Sequence, residues 1–280
     1  MEREERIKVF EETLECSKRN SYINEKGETV NIYREDYGMN FDEPTIFNKN
    51  LYPKIKDIRF DKNQETEIVV ENIDCLYAAC NLVDEGYNPA VLNMASFSTP
   101  GGGVAKGSAA QEESLCRRTN LYLSISRFAK QDQKVRYPLD INYGAIYSPV
   151  VSVFRLSEKD GCKFMDTPVT IDVISAAAIK KPILENGHMT ETNRMKLRNK
   201  IRTILNLGIY FRNDSLVLGA FGCGAYATPP DDVAEIFRDV LSERFYKNAF
   251  KKIVFAIIDD GNAHREHNPE GNLIPFKRVF

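Results

Sequence analysis

"NPAVLNMASFSTPGGGVAKGSAAQEESLCRR", residues 88–118, places an apolar strand, a glycine-rich turn and a helix one after another. The strand "NPAVLNMAS" is apolar along most of its length, as a strand buried on both faces is. Gly101, Gly102 and Gly103 follow. They can take up positive φ and let a ligand approach the backbone with no Cβ in the way. The helix that comes next carries Gln111, Glu112 and Glu113 at its start and Leu115, Leu121, Leu123 and Phe128 at helical spacing.

The same alternation extends in both directions. Upstream, "TEIVVEN" reads as a strand and "IDCLYAACNLVDEG" as a helix, with Asp74 near its start and Gly86 at its end. Downstream, "GAIYSPVVSVFR" and "PVTIDVISAAAI" are long β-branched strands, and "TETNRMKLRNKIRTILNLGI" is a helix. "SLVLGAFGCGAY" is a strand running into a second glycine turn, "PPDDVAEIFRDVLSERF" a helix opened by Pro and acids, and "KKIVFAIIDDG" a last buried strand. Ahead of these, residues 4–17 place Ile7, Phe10, Thr13 and Leu14 on one helical face. Residues 18 to about 65 read as an irregular arm or short-strand extension. The expectation is therefore an α/β fold, a mostly parallel central sheet between helical layers. Residues 1–65 form an N-terminal extension packed on the main domain, and residues 66–280 form that domain.

Bulk properties exclude several classes. The 280 residues are 42% hydrophobic and 28% charged, with a formal net charge of -2. That balance is ordinary for a globular domain and gives no electrostatic drive towards nucleic acid or membrane. The charged start "MEREERIKVFEETLE" lacks the apolar centre of a signal peptide, so a cytoplasmic or nuclear location is the expectation. Six scattered cysteines without a C-x-x-C pair read as buried or partly buried free thiols. "HREH", with His264 and His267, lacks the partners of a zinc set and reads as an exposed loop; no metal is expected.

Ligands of parallel α/β sheets sit beyond the carboxyl ends of the strands. Both glycine clusters fall there, one after "AVLNMAS" and one, with Gly219, Gly222 and Gly224, after "LVLGAF". Neither is a Walker loop, and no Rossmann acid follows the first. Two loops with free amides on one sheet edge suit a diphosphate. Glu112 and Glu113 point about 100° apart on a helix, so they cannot flank a scissile bond from opposite sides. One can transfer a proton while its neighbour grips a sugar hydroxyl.

The triple glycine, seven residues and then "QEE" resembles the signature of poly(ADP-ribose) glycohydrolases of the shorter bacterial type. "VLNMAS", "AQEESLCRRTNLY", "LVLGAFGCGAYATPPDDVAEIF" and "IVFAIID" are similar to segments of that family, and the likeness spans nearly the whole chain. The resemblance implies a three-layer α/β/α macrodomain-like sandwich with ADP-ribose at the strand ends. It implies Glu113 as the catalytic acid/base. Glu112 and Asn93 would hold hydroxyls of the distal ribose, and Gln111 would fix helix and substrate. Gly101–Gly103 would wrap the distal ribose and phosphate, while Gly222, Cys223, Gly224, Ala225 and Tyr226 would cradle the diphosphate. Tyr226 stands where the family usually has Phe, and Phe221 where it often has Trp. Phe276 is a candidate for stacking on adenine, against docking of the C-terminal tail in the core. No cofactor is implied; the partners are poly(ADP-ribose) or ADP-ribosylated macromolecules, with ADP-ribose as product ligand. Two other readings keep the fold: a hydrolase of mono-ADP-ribosylated protein or nucleic acid, and a non-catalytic ADP-ribose reader.

Overall fold

The computed structural model describes residues 1–33, 44–60, 64–129, 137, 139–259, 261 and 263–280. Part of the arm read over residues 18–65 thus lies outside the described residues. What is described of it includes a small hairpin, Ser21–Ile23 against Thr29–Asn31.

Among the described residues, seven strands build the main sheet: β1 (Thr45–Phe47), β2 (Glu67–Glu71), β3 (Pro89–Met94), β4 (Ala145–Arg155), β5 (Phe164–Ala176), β6 (Ser215–Leu218) and β7 (Lys252–Ala256). Their order is β1-β4-β5-β3-β6-β7-β2. The five strands from β5 to β2 are parallel to their neighbours. β1 and β4 add two antiparallel pairings at one edge. The edge strand β1 comes from the segment read as an extension, so the sheet itself draws on residues before position 66.

Alternate residues of each strand feed two cores. On one face Val91, Val173, Val217 and Val254 meet α1 (Arg3–Arg19), α2 (Cys75–Asp84) and α3 (Gln111–Arg118) through Phe10, Leu76 and Leu115. On the other, Leu92, Ile174, Leu216 and Phe255 meet α4 (Glu191–Tyr210), α5 (Pro230–Leu241) and α6 (Leu273–Val279). Asp74 caps α2, its Oδ1 accepting from the amides of Leu76 and Tyr77 at 3.0 and 3.2 Å, and Gly86 beyond the helix takes φ 87°.

The helix read over residues 108–129 is shorter than its periodicity predicts. α3 ends at Arg118, and a separate turn of helix resumes at Leu121–Ile125. Thr119 is extended and bridges to Val153, while its hydroxyl donates to the Leu115 carbonyl. Asn120 Oδ1 accepts from the Ser152 amide at 2.9 Å. Local side chains that satisfy the backbone in this way compete with helix.

This topology opens the site. β3 and β6 are adjacent and parallel, yet the helix after β3 packs on one face and the helix after β6 on the other. The loops leaving the two strands diverge, and a crevice forms between them.

Candidate active site

Gln111 joins α3 to the end of β3. Its Oε1 accepts from the Met94 amide at 2.8 Å and its Nε2 donates to the Leu92 carbonyl at 2.7 Å. The amide side chain continues the sheet's hydrogen bonding past its last residue and fixes where the next two side chains point.

Glu112 is 3% exposed. Its Oε2 accepts from the Ser96 amide at 2.7 Å, and its Oε1 accepts from the Gly101 amide at 3.0 Å and from Asn93 Nδ2 at 3.4 Å. Burial pushes its pKa up to about 7 against the pull of those donors, and the neighbouring Glu113 charge adds to the rise. Glu113, 7% exposed, accepts from the Gly103 amide at 2.8 Å.

The triple-glycine loop wraps these carboxylates. Gly101 and Gly102 are left-handed, at φ 72° and 56°. A Cβ on Gly102 would lie 2.5 Å from Glu113 Oε1 and 3.1 Å from Glu112 Oε2. Only glycine admits both carboxylates this close to the backbone.

The second loop faces the first. Gly222 is left-handed, at φ 86°, and a Cβ there would fall 2.8 Å from Ala178 Cβ. Among the described residues no protein acceptor takes the amides of Gly222, Gly224, Ala225 or Tyr226, a concentration of free donors suited to an anion. The Tyr226 hydroxyl accepts from the Phe97 amide at 2.7 Å, so one ring ties the second loop to the chain leaving β3. Burial raises the Tyr226 pKa.

Between the loops lies a cavity of about 570 Å³, of the size small-molecule sites have. Gly102, Gly103, Gln111, Glu112 and Glu113 line one side, and Gly222, Gly224, Ala225 and Tyr226 the other. Four expected site residues do not line it. Asn93 is fully buried behind Glu112, its Nδ2 also donating to Ser175 Oγ at 3.0 Å, so it holds the carboxylate. Gly101 gives its amide to Glu112. The Cys223 side chain is buried in the core, and its carbonyl accepts from His267 Nε2 at 2.7 Å. Phe276 is 0% exposed and packs 5.2 Å from Phe255, which corrects its candidacy for adenine: a ring enclosed in the core has no face for a base. His267 likewise departs from the exposed-loop reading; His264 is exposed, but His267 is half-buried against the second glycine loop.

Ser96, Thr99, Cys75, Ala178, Ile258 and Asn272 also line the cavity. Ser96 and Ile258 fall within the family-like segments "VLNMAS" and "IVFAIID", where no role singled them out, and the other four lie in no motif.

The sequence model of the family "Microbial-type PARG, catalytic domain" matches residues 10–156. The chain is similar to the crystal structure of poly(ADP-ribose) glycohydrolase (PARG) from Thermomonospora curvata. That likeness has 27% identity and a TM-score of 0.82, covering 98% of this chain and 99% of that one. The same enzyme bound to the inhibitor ADP-HPD matches at 26% identity and a TM-score of 0.80, with the same coverage. The Deinococcus radiodurans enzyme in complex with ADP-ribose matches at 29% identity and a TM-score of 0.67, over 84% of this chain and 92% of that one. No curated protein matches the chain significantly. With just over half of its length matched by the family and nearly all of it superposable on a solved relative, the chain belongs to the microbial-type PARG catalytic domain family.

Proposed function

We propose that the protein hydrolyses the ribose–ribose O-glycosidic bond of poly(ADP-ribose) and releases ADP-ribose from free chain ends. One observation carries the reading: Glu113, pinned by the Gly103 amide at 2.8 Å, shares a cavity with the second glycine loop and its free amides. A diphosphate held there by backbone amides directs the distal ribose towards the carboxylates.

Bond cleavage passes through an oxocarbenium-like ribose, so a proton delivered to the leaving oxygen lowers the barrier. Glu113 supplies that proton to the glycosidic oxygen, which leaves with the shortened chain, and the nearby diphosphate stabilises the cation. Water then adds to the anomeric carbon, and Glu113 takes its proton. Glu112 orients the ribose by its hydroxyls, and Asn93 orients Glu112. The Tyr226 ring closes the ribose side of the diphosphate loop.

Glu113→Gln keeps shape and removes the transferable proton. ADP-ribose release from labelled polymer falls ~10²–10⁴-fold, while ADP-ribose binding by calorimetry persists. Parental turnover by this variant would end the assignment. Running mono-ADP-ribosylated protein beside the polymer separates the proposed substrate from its nearest alternative, and product length shows whether single units leave the chain end.

A further inference from the structure

We propose that Arg117 is a positioning residue for the catalytic loop, acting through the carbonyl of Ser108 and braced by Glu158. This rests on the assignment of Glu113 under the proposed function.

Arg117 lies one helical turn beyond Glu113 on α3 and is 0% exposed. Its Nη1 donates to the Ser108 carbonyl at 2.6 Å, and its Nη2 to Glu158 Oε1 at 2.5 Å. Glu158 is shared with α1, because Arg6 Nε donates to both its oxygens at 3.2 and 3.1 Å. A second arginine of α1, Arg3, donates from Nε to the Lys106 carbonyl at 2.8 Å. Two outward carbonyls of one short loop are therefore held by arginines from two helices.

The interior of the loop completes the connection. The amides of Lys106 and Ser108 both donate to the Gly103 carbonyl, at 2.8 and 3.2 Å. The amide of Gly103 then donates to Glu113. The path runs from Arg117 to Ser108, from Ser108 to Gly103, and from Gly103 back to the helix that carries Arg117. Near the loop's start, Tyr122 packs against Gly101 and is backed by Phe10 of α1, with ring centroids 5.0 Å apart.

Burying a guanidinium is costly, and an apolar side chain of like volume fills the same space more cheaply. An apolar side chain cannot hold the Ser108 carbonyl at a fixed distance. A planar fork does so while its other nitrogen stays bonded to Glu158. Arg117 thereby sets the spacing between the glycine loop and α3, and with it the place of the Glu113 carboxylate.

The test compares Arg117→Met, Arg117→Lys and Glu158→Gln with the control Glu12→Gln. Glu12 pairs with Arg155 and so also braces α1, without touching the loop. Arg117→Met is expected to lower kcat for ADP-ribose release ~10²-fold and Glu158→Gln about 10-fold, with KM and the ADP-ribose Kd changed less than about two-fold. Arg117→Lys recovers part of kcat, and amide exchange in peptides covering residues 101–108 speeds up in the methionine and glutamine variants. Glu12→Gln lowers Tm alone. Glu158 lies in a partly exposed turn, so its variant decides the matter if Arg117→Met does not fold. Unchanged loop exchange in the variants that fold overturns the proposal, as does kcat within about two-fold of the parent or an equal kcat loss in Glu12→Gln. The exchange measurement needs no substrate. Absence of polymer turnover in the parent would instead sink the proposed function and leave the loop result standing.

Discussion

Gly102→Ala tests the geometry of the site more sharply than removal of a catalytic group, because it adds one methyl and deletes nothing. At φ 56° the new side chain costs roughly 1–2 kcal/mol of stability. For a chain of this size that lowers Tm by a few degrees, roughly 2–4 °C per kcal/mol. The larger effect is local. The Cβ would lie 2.5 Å from Glu113 Oε1, where ordinary contact begins at 3.4 Å. Carboxylate and loop must part by roughly 0.9 Å, enough to break the bond now made by the Gly103 amide at 2.8 Å. A misplacement of about 1 Å costs about 10²-fold in rate. The assay is single-turnover release of ADP-ribose from labelled polymer at 25 °C, far below Tm, with binding of ADP-ribose followed separately. Release within about two-fold of the parent, alongside the expected fall in Tm, would refute the claim that this backbone contact places the Glu113 carboxylate for the proposed reaction.

Two further expectations concern stability. Glu112 has its pKa raised from 4.5 to about 7 by burial, so the folded state holds a proton that the unfolded chain has lost across that interval. Its contribution to stability therefore falls as pH rises from about 4.5 to 7 and is flat above, by roughly 3 kcal/mol at most. Glu112→Gln removes this slope, so the difference in Tm between parent and variant must itself vary with pH between 5 and 7; a constant difference would contradict the buried carboxyl. Phe276→Ala empties a core site and costs ~3–5 kcal/mol, read by chemical denaturation. The Kd for ADP-ribose measured on folded protein stays unchanged, and weakened binding with parental stability would restore the ring to the ligand site.

The elements were legible because their signals are local. Asp74 ahead of an apolar helix, the β-branched run of β4 and the acids opening α5 each declare their structure within a few residues. The break at Thr119 was not, because the periodicity of Leu115, Leu121 and Leu123 carries across it. What interrupts the helix is a bridge to Val153 and a hydrogen bond from Ser152, both more than thirty residues away in the chain. Arg117 shows the same limit: nothing in its own helical segment sets it apart from a solvated charge, and only packing against Glu158 and Ser108 reveals a buried guanidinium.

From the chain alone came the alternation of strands and helices, the two glycine turns at strand ends and the Gln-Glu-Glu that follows the first. These depend on period and spacing along one segment. Tertiary structure decided which groups face the cavity and in what state. The order β5-β3-β6 brings Gly102 and Gly222 to one crevice although 120 positions separate them in sequence. It also sets Asn93 behind Glu112, turns Cys223 and Phe276 into the core, and buries one carboxyl far enough to raise its pKa. Burial and hydrogen-bond partners are properties of neighbours in space, and for these residues the deciding neighbours are distant in the chain.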